Sequence, residues 1–343
     1  MNLLTEQISQ QHEFRHEPDD DPAYNESTYY NFSSSASGTT GWVRVGIQAN
    51  QPAAQASVLL FLPDETLFDY HRTSEVTSSE LRAGGLSIEI AEPLERQRLT
   101  YEGDLAAFAD PRVLTTPSTA FKQAPRRRVT LDLDVRARGR AFGTNGDDPE
   151  NYLESTMALG HFEQFIKISG VITVDGTPYT LDNAGGLRDH SWGPRDWAGP
   201  LSYRWITATL DDESAIMALE VKRRDGEITR KSATVVDGAL QEATLNGVDV
   251  TWTPDGFGEK VVCNLSTTSG PTTLTATPRE PATYAPLKHS RKSDKLASVD
   301  TRIGYAPYEF RTDDGRTGAG IVEILDQLVD GLPIGMADLA SRR

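Results

Sequence analysis

Val129-Thr130-Leu131-Asp132-Leu133-Asp134-Val135 carries an apolar side chain at every second position, with Asp132 and Asp134 between them. Side chains alternate across a strand, so the four apolar residues share a buried face and the aspartates face water. The same period recurs along the chain. Val43, Val45 and Ile47 alternate with Arg44, Gly46 and Gln48, and Leu86, Ile88 and Ile90 alternate after Gly84-Gly85. Val58-Leu59-Leu60-Phe61-Leu62 is a short continuous apolar run ended by Pro63. His161 to Leu181 is a long run folded at Asp175-Gly176, a hairpin dipeptide. Further strands are predicted at Tyr203–Leu210, Ala215–Lys222, Ser232–Val236, Ala243–Trp252 and Lys260–Leu265, with turns such as Asp225-Gly226, Asp237-Gly238 and Asp255-Gly256 between them. Strands at roughly ten-residue intervals with such turns indicate meandering antiparallel sheets closed into barrels or sandwiches. The expected fold class is all-β with few short helices. Ile321, Ile324, Leu325 and Leu328 fall at helical spacing, so 321–329 is the best helix candidate. Segments 66–82 and 104–124 read as irregular, and 278–300 as a long connection rich in Pro, Lys and Ser.

A chain of 343 residues is too long for one ordinary core, and two domains are expected. The division read from the sequence is a flexible polar arm (1–21), an N-terminal barrel (22–186) and a C-terminal barrel (187–335). A formal net charge of -16 argues against nucleic acid or an anionic membrane surface as the main partner. The basic run Arg126-Arg127-Arg128 reads as a solvated strand entry. Cys263 is the single cysteine, which rules out an internal disulfide, and its neighbours Val261, Val262 and Leu265 suggest an inert buried thiol. The first 21 residues lack the apolar core of a signal peptide, and no apolar run approaches the roughly 18–20 residues of a membrane span. A soluble, cytoplasmic protein without integral membrane association is expected. The sequence gives no oligomeric state.

The densest chemistry lies in Arg188-Asp189-His190-Ser191-Trp192-Gly193-Pro194-Arg195-Asp196-Trp197. If 188–192 is extended, Arg188, His190 and Trp192 share one face while Asp189 and Ser191 take the other. Asp189-His190-Ser191 therefore cannot converge as a triad of neighbours. A His beside a Trp, with Asp and Arg at hand, suits either proton transfer or a buried hydrogen-bonded clamp. Metal binding is disfavoured because His71, His161, His190 and His289 are widely scattered. No redox cofactor is signalled: there is no Gly-x-Gly-x-x-Gly after a strand and no P-loop. His161, opening the strand before the motif, would face the same cavity as His190 or be an ordinary core or surface histidine. Glu26 reads as a strand-edge carboxylate, with a buried acid as the alternative.

Asp189-His190-Ser191-Trp192-Gly193 resembles the Asp-His-x-Trp-Gly mark of the carotenoid 1,2-hydratase and AttH-like superfamily, which includes tocopherol cyclase relatives and lipocalin-like Diels–Alderases. The longer form from Gly186 to Trp197, the opening Asn25 to Phe32, and Asp211-Asp212 after Tyr203-Arg204-Trp205-Ile206 look like a bacterial two-domain subgroup. Those hydratases carry Glu or Gln where this chain has Ser191. The resemblance implies two consecutive lipocalin-like antiparallel β-barrels with an apolar small-molecule ligand in one of them or at their junction. Trp42, Tyr152, Phe162, Tyr203 and Trp205 would line such a cavity or simply fill a core.

Two functions follow. One is a cofactor-independent acid–base enzyme (hydratase, dehydratase, isomerase or cyclase) acting on a terpenoid- or steroid-like molecule. Asp189 and His190 would then be catalytic, and Arg188, Trp192, Arg195, Trp197, Tyr203, Trp205 and His161 would bind substrate. The other is a lipid or isoprenoid carrier without chemistry, the motif serving as an inter-domain clamp.

Overall fold

A computed structural model describes residues 7–76, 79–147, 157–196, 199–279, 283–293 and 296–336, with the side chains of 290–298 left aside. Trp197 and Tyr152, both weighed as ligand contacts, lie outside the described residues. Among those residues the chain is built almost wholly of antiparallel strands, with the α-helix Pro117–Gln123, helical residues at 334–336 and short 3-10 turns. Among the described residues no helix is long and apolar enough to cross a membrane.

The first sheet closes on itself. Its ring runs through Thr66–Thr73, Ala53–Phe61, Thr39–Gln48, Tyr24–Ser34, Thr177–Pro194, Gly160–Val174, Arg126–Ala137 and Arg96–Phe108, and the last of these pairs back to Thr66–Phe68. Val129, Leu131, Leu133 and Val135 point into this barrel beside Tyr30, Phe32, Val43, Val45 and Leu60. Asp132 and Asp134 lie outside on Arg98 and Arg96. The hairpin at Asp175-Gly176 has positive φ at both residues, 47° and 87°, the type I′ geometry that makes Gly the natural second residue.

The second sheet spans Pro200–Leu210 to Leu332–Pro333. Leu296–Thr312 pairs with Gly270–Pro278 along one edge and Thr317–Val329 along the other, which closes this ring too. Its interior holds Ile206, Ala208, Val261, Cys263, Tyr308 and Ile324. Burial pushes the Cys263 thiol up to about 12, as suits an inert core residue.

Five expectations are corrected. Residues 321–329 are strand, not helix: Thr317–Val329 is buried on both faces, so its apolar residues show no period of two. Segment 66–82 contains the closing strand Thr66–Thr73, and 278–300 contains the strand Ala285–Ser293. The proposed domain boundary at 186/187 falls inside the strand Thr177–Pro194, which stays whole in the first sheet. The described part of the polar arm is folded, with His12 and Glu13 buried in a 3-10 turn at Gln10–Glu13.

The barrels pack through their outer walls. Tyr29, Trp42, Leu59, Phe61 and Phe68 of the first meet Leu287, Ile303, Tyr305, Ile321 and Leu325 of the second. Phe142, Phe165 and Leu187 meet Met217, Leu219 and Val235 alongside.

Candidate functional site

The motif strand separates its side chains onto two walls. Its register pairs Tyr30 with Arg188, Thr28 with His190 and Glu26 with Trp192. Cross-strand partners share a face, and Tyr30 points into the first barrel. Arg188, His190 and Trp192 therefore enter that barrel, and all three are buried. Asp189 and Ser191 point the other way, to the junction between barrels. The two residues expected to be catalytic, Asp189 and His190, are sequence neighbours that face different compartments.

The inward half is a filled polar cluster. Arg188 donates through Nη1 and Nη2 to the two oxygens of Glu13 at 2.6 and 2.7 Å, and through Nε and Nη2 to Gln164. Glu26 is fully buried rather than at a strand edge, because it continues the inward face of Tyr30 and Thr28. Its Oε1 lies 2.9 Å from both His16 Nδ1 and His190 Nε2. Burial pushes the Glu26 carboxyl up, but the hydrogen bonds from His16 and His190 outweigh it and hold the group at about 2. Trp192 stacks on His16 with ring centres 3.7 Å apart. The Cβ of an alanine at Gly160 would fall 2.1 Å from the Trp192 ring, so only glycine lets that ring lie there. Arg188, His190, Trp192 and Phe162 are thus wall and filling of the first barrel; none of them lines the junction cavity.

The outward half opens onto a cavity of about 110 Å³ between the barrels. That is several times the volume one water needs. The first barrel contributes Ser27, Tyr29, Trp42, Arg44, His161, Asp189 and Ser191, and the second contributes Tyr203, Trp205, Tyr305 and Glu323. Of the expected site residues, the structure brings together Asp189, His161, Arg195, Tyr203 and Trp205. His161 Nε2 stands 3.5 Å from Asp189 Oδ2. Arg195 fixes one rim, donating to the Ser191 hydroxyl at 2.6 Å and to the Met157 carbonyl at 2.8 Å.

Glu323 is the feature that sequence reasoning missed. It is 6% exposed, accepts hydrogen bonds from the hydroxyls of Tyr203 and Tyr305, and faces the cavity. Burial raises its pKa to about 7, helped by the negative charge of Asp189, while the two tyrosines and Arg44 pull against the rise. Tyr203 and Tyr305 are themselves pushed well above the usual phenol range by burial and by the adjacent carboxyl. Burial lowers the Arg44 pKa. The Nε1 atoms of Trp42 and Trp205, both lining the cavity, are buried and make no hydrogen bond among the described residues. The one visible signal for Glu323 was a lone carboxylate within Ile321-Val322-Glu323-Ile324-Leu325. Misreading that run as a helix hid which side of a sheet it faced.

A family model described as a domain of unknown function (DUF7064) matches residues 9–328. The chain belongs to that family. The match takes in both barrels, the motif strand and the folded N-terminal segment from Ser9 onward. No curated protein sequence matches the chain. Among solved structures, it is similar to the AttH-like protein NE1406 of Nitrosomonas europaea, with a TM-score of 0.57 and 14% identity over 89% of this chain and 93% of that one. CghA gives a TM-score of 0.56 and 12% identity, covering 89% of this chain and 88% of that chain. Kievitone hydratase of Nectria haematococca gives 0.51 and 14%, covering 88% of each chain. At these identities the likeness shows a shared fold, which a site must still be argued upon.

Proposed function

We propose that the chain is an acid–base enzyme of the hydratase, dehydratase or isomerase kind, acting on a small molecule held between the two barrels. The observation that carries the reading is Glu323, a buried carboxyl whose pKa of about 7 leaves it half protonated at neutral pH. Across the cavity stands a second carboxylate, Asp189, beside His161. Two carboxyl groups in unlike environments are the arrangement that assigns an acid and a base. In the hydration direction Glu323 gives its proton to a carbon–carbon double bond. His161, oriented by Asp189, takes a proton from the water whose oxygen bonds to the neighbouring carbon. Both groups then reset through solvent; dehydration is the reverse. Tyr203 and Tyr305 hold the Glu323 carboxyl in place, and the ring faces of Tyr29, Trp42 and Trp205 favour a developing positive charge. The name of the similar kievitone hydratase fits this class of reaction.

The roles differ from those expected of the motif. Asp189 acts by orienting His161, whereas His190, Arg188 and Trp192 build the wall behind it and hold the N-terminal segment. The carrier alternative retains no specific support, since a plain carrier has no use for a buried acid poised at neutral pH. The test is to incubate the protein with small-molecule extract from its own host and follow mass changes of one water. Wild type should convert a component that Glu323→Gln binds but leaves unchanged. Equal conversion by both proteins would refute the assignment, and so would binding by neither.

A further inference from the structure

We propose that His16 Nδ1, Glu26 Oε1 and His190 Nε2 form a divalent-cation site, with zinc(II) the best match, which fastens the N-terminal segment into the first barrel. This proposal is independent of the reading of the junction cavity. The three donor atoms lie within 4.8 Å of one another, and each nitrogen is 2.9 Å from the shared oxygen. Ligand atoms around a tetrahedral zinc at about 2.0–2.1 Å sit roughly 3.3 Å apart. Small side-chain movements therefore convert the cluster into a coordination set. Two imidazoles and one carboxylate suit zinc and exclude magnesium or calcium, which want oxygen ligands throughout.

The surroundings favour such an ion. Glu26 and His190 are fully buried, where an anion gains most from a counter-ion. Arg15 approaches the other carboxylate oxygen, Oε2, at 3.7 Å and leaves Oε1 to the histidines. Trp192 stacks flat on His16 and fixes its ring plane. The far ring nitrogens, His16 Nε2 and His190 Nδ1, make no hydrogen bond among the described residues. Glu26 holds a proton on the facing nitrogen of each ring, so an ion taking that place would displace it and leave each neutral ring protonated at its far nitrogen, which no other group occupies. Of the four histidines that looked scattered in sequence only His190 takes part, and His16 joins it because the N-terminal segment folds back into the barrel.

Full-length protein stripped with a chelator should bind one equivalent of zinc(II) by calorimetry. Cobalt(II) in its place should give the visible absorption of a nitrogen- and oxygen-ligated ion. His16→Ala should weaken zinc binding by more than the roughly 10–100-fold that follows loss of an outer-shell partner. Glu26→Gln, which keeps the side chain's shape, should do the same, and His71→Ala should leave binding intact. Chelation should lower the wild-type melting temperature to that of His16→Ala and leave the variant unmoved. Absence of stoichiometric binding by wild type, or equal binding by wild type and His16→Ala, would overturn the proposal.

Discussion

Glu13→Ala should destabilise the protein by about 3–5 kcal/mol, although residue 13 lies in a segment that reads from sequence as a disordered arm. Glu13 and Arg188 are both fully buried, and their two charge-assisted bonds measure 2.6 and 2.7 Å. Removing one partner of a buried ion pair strands the other charge out of water, which is the source of a cost of about 3–5 kcal/mol. Gln164 remains as an acceptor for Arg188 Nε and Nη2, so the stranded guanidinium keeps part of its bonding and the lower end of the range applies. The variant also deprives the Leu94 amide of its acceptor, the Glu13 Oε2 atom at 2.8 Å. Replacing the pair together, Glu13→Met with Arg188→Met, should cost less than either single change, because no charge is then left unpaired. Urea unfolding followed by tryptophan fluorescence gives the three free energies. A loss below about 1 kcal/mol for Glu13→Ala would show that the segment is not part of the folded core.

Glu323 should make stability fall with rising pH: its folded pKa of about 7 exceeds its unfolded value, so its contribution is complete below about 4.5 and gone above 7. The change is about 3 kcal/mol. Subtracting the pH–stability curve of Glu323→Gln from that of wild type isolates this slope, and parallel curves would exclude it. Tyr203→Phe, which removes a hydrogen bond to the ionised form, should move the Glu323 midpoint above 7, whereas Asp189→Asn, which removes a nearby negative charge, should move it below. Shifts of the same sign in both variants would contradict the electrostatic account. Gly160→Ala should cost about 1–3 kcal/mol through its collision with Trp192 and shift the Trp192 fluorescence, while the adjacent junction cavity is spared.

The fold was legible wherever one face of a strand is wet. Val129 to Val135 and the Asp-Gly turns state period and reversal directly, and both appear in place. Thr317–Val329 was illegible because both of its faces are covered, by its own barrel and by the neighbouring one, which erases the alternation. Alternation along 188–192 correctly separated Arg188, His190 and Trp192 from Asp189 and Ser191. It could not say which face met the other barrel, since that depends on long-range pairing with Tyr24–Ser34. Glu13 and His16 were missed, and Glu26 was read as a strand-edge carboxylate ahead of a buried acid, for a related reason. Polar residues near a terminus look solvated until the partner that buries them, here Arg188 or His190, is placed in space.

A carboxylic acid in the inter-barrel cavity, Glu323, should remain partly protonated at neutral pH. Infrared difference spectroscopy of wild type against Glu323→Gln across a pH titration measures it without any knowledge of the substrate. A protonated-carboxyl band that belongs to Glu323 and disappears with a midpoint near 7 is the predicted result. A Glu323 carboxyl already ionised below pH 5, with no such band at neutrality, would rule out the acid role proposed for it.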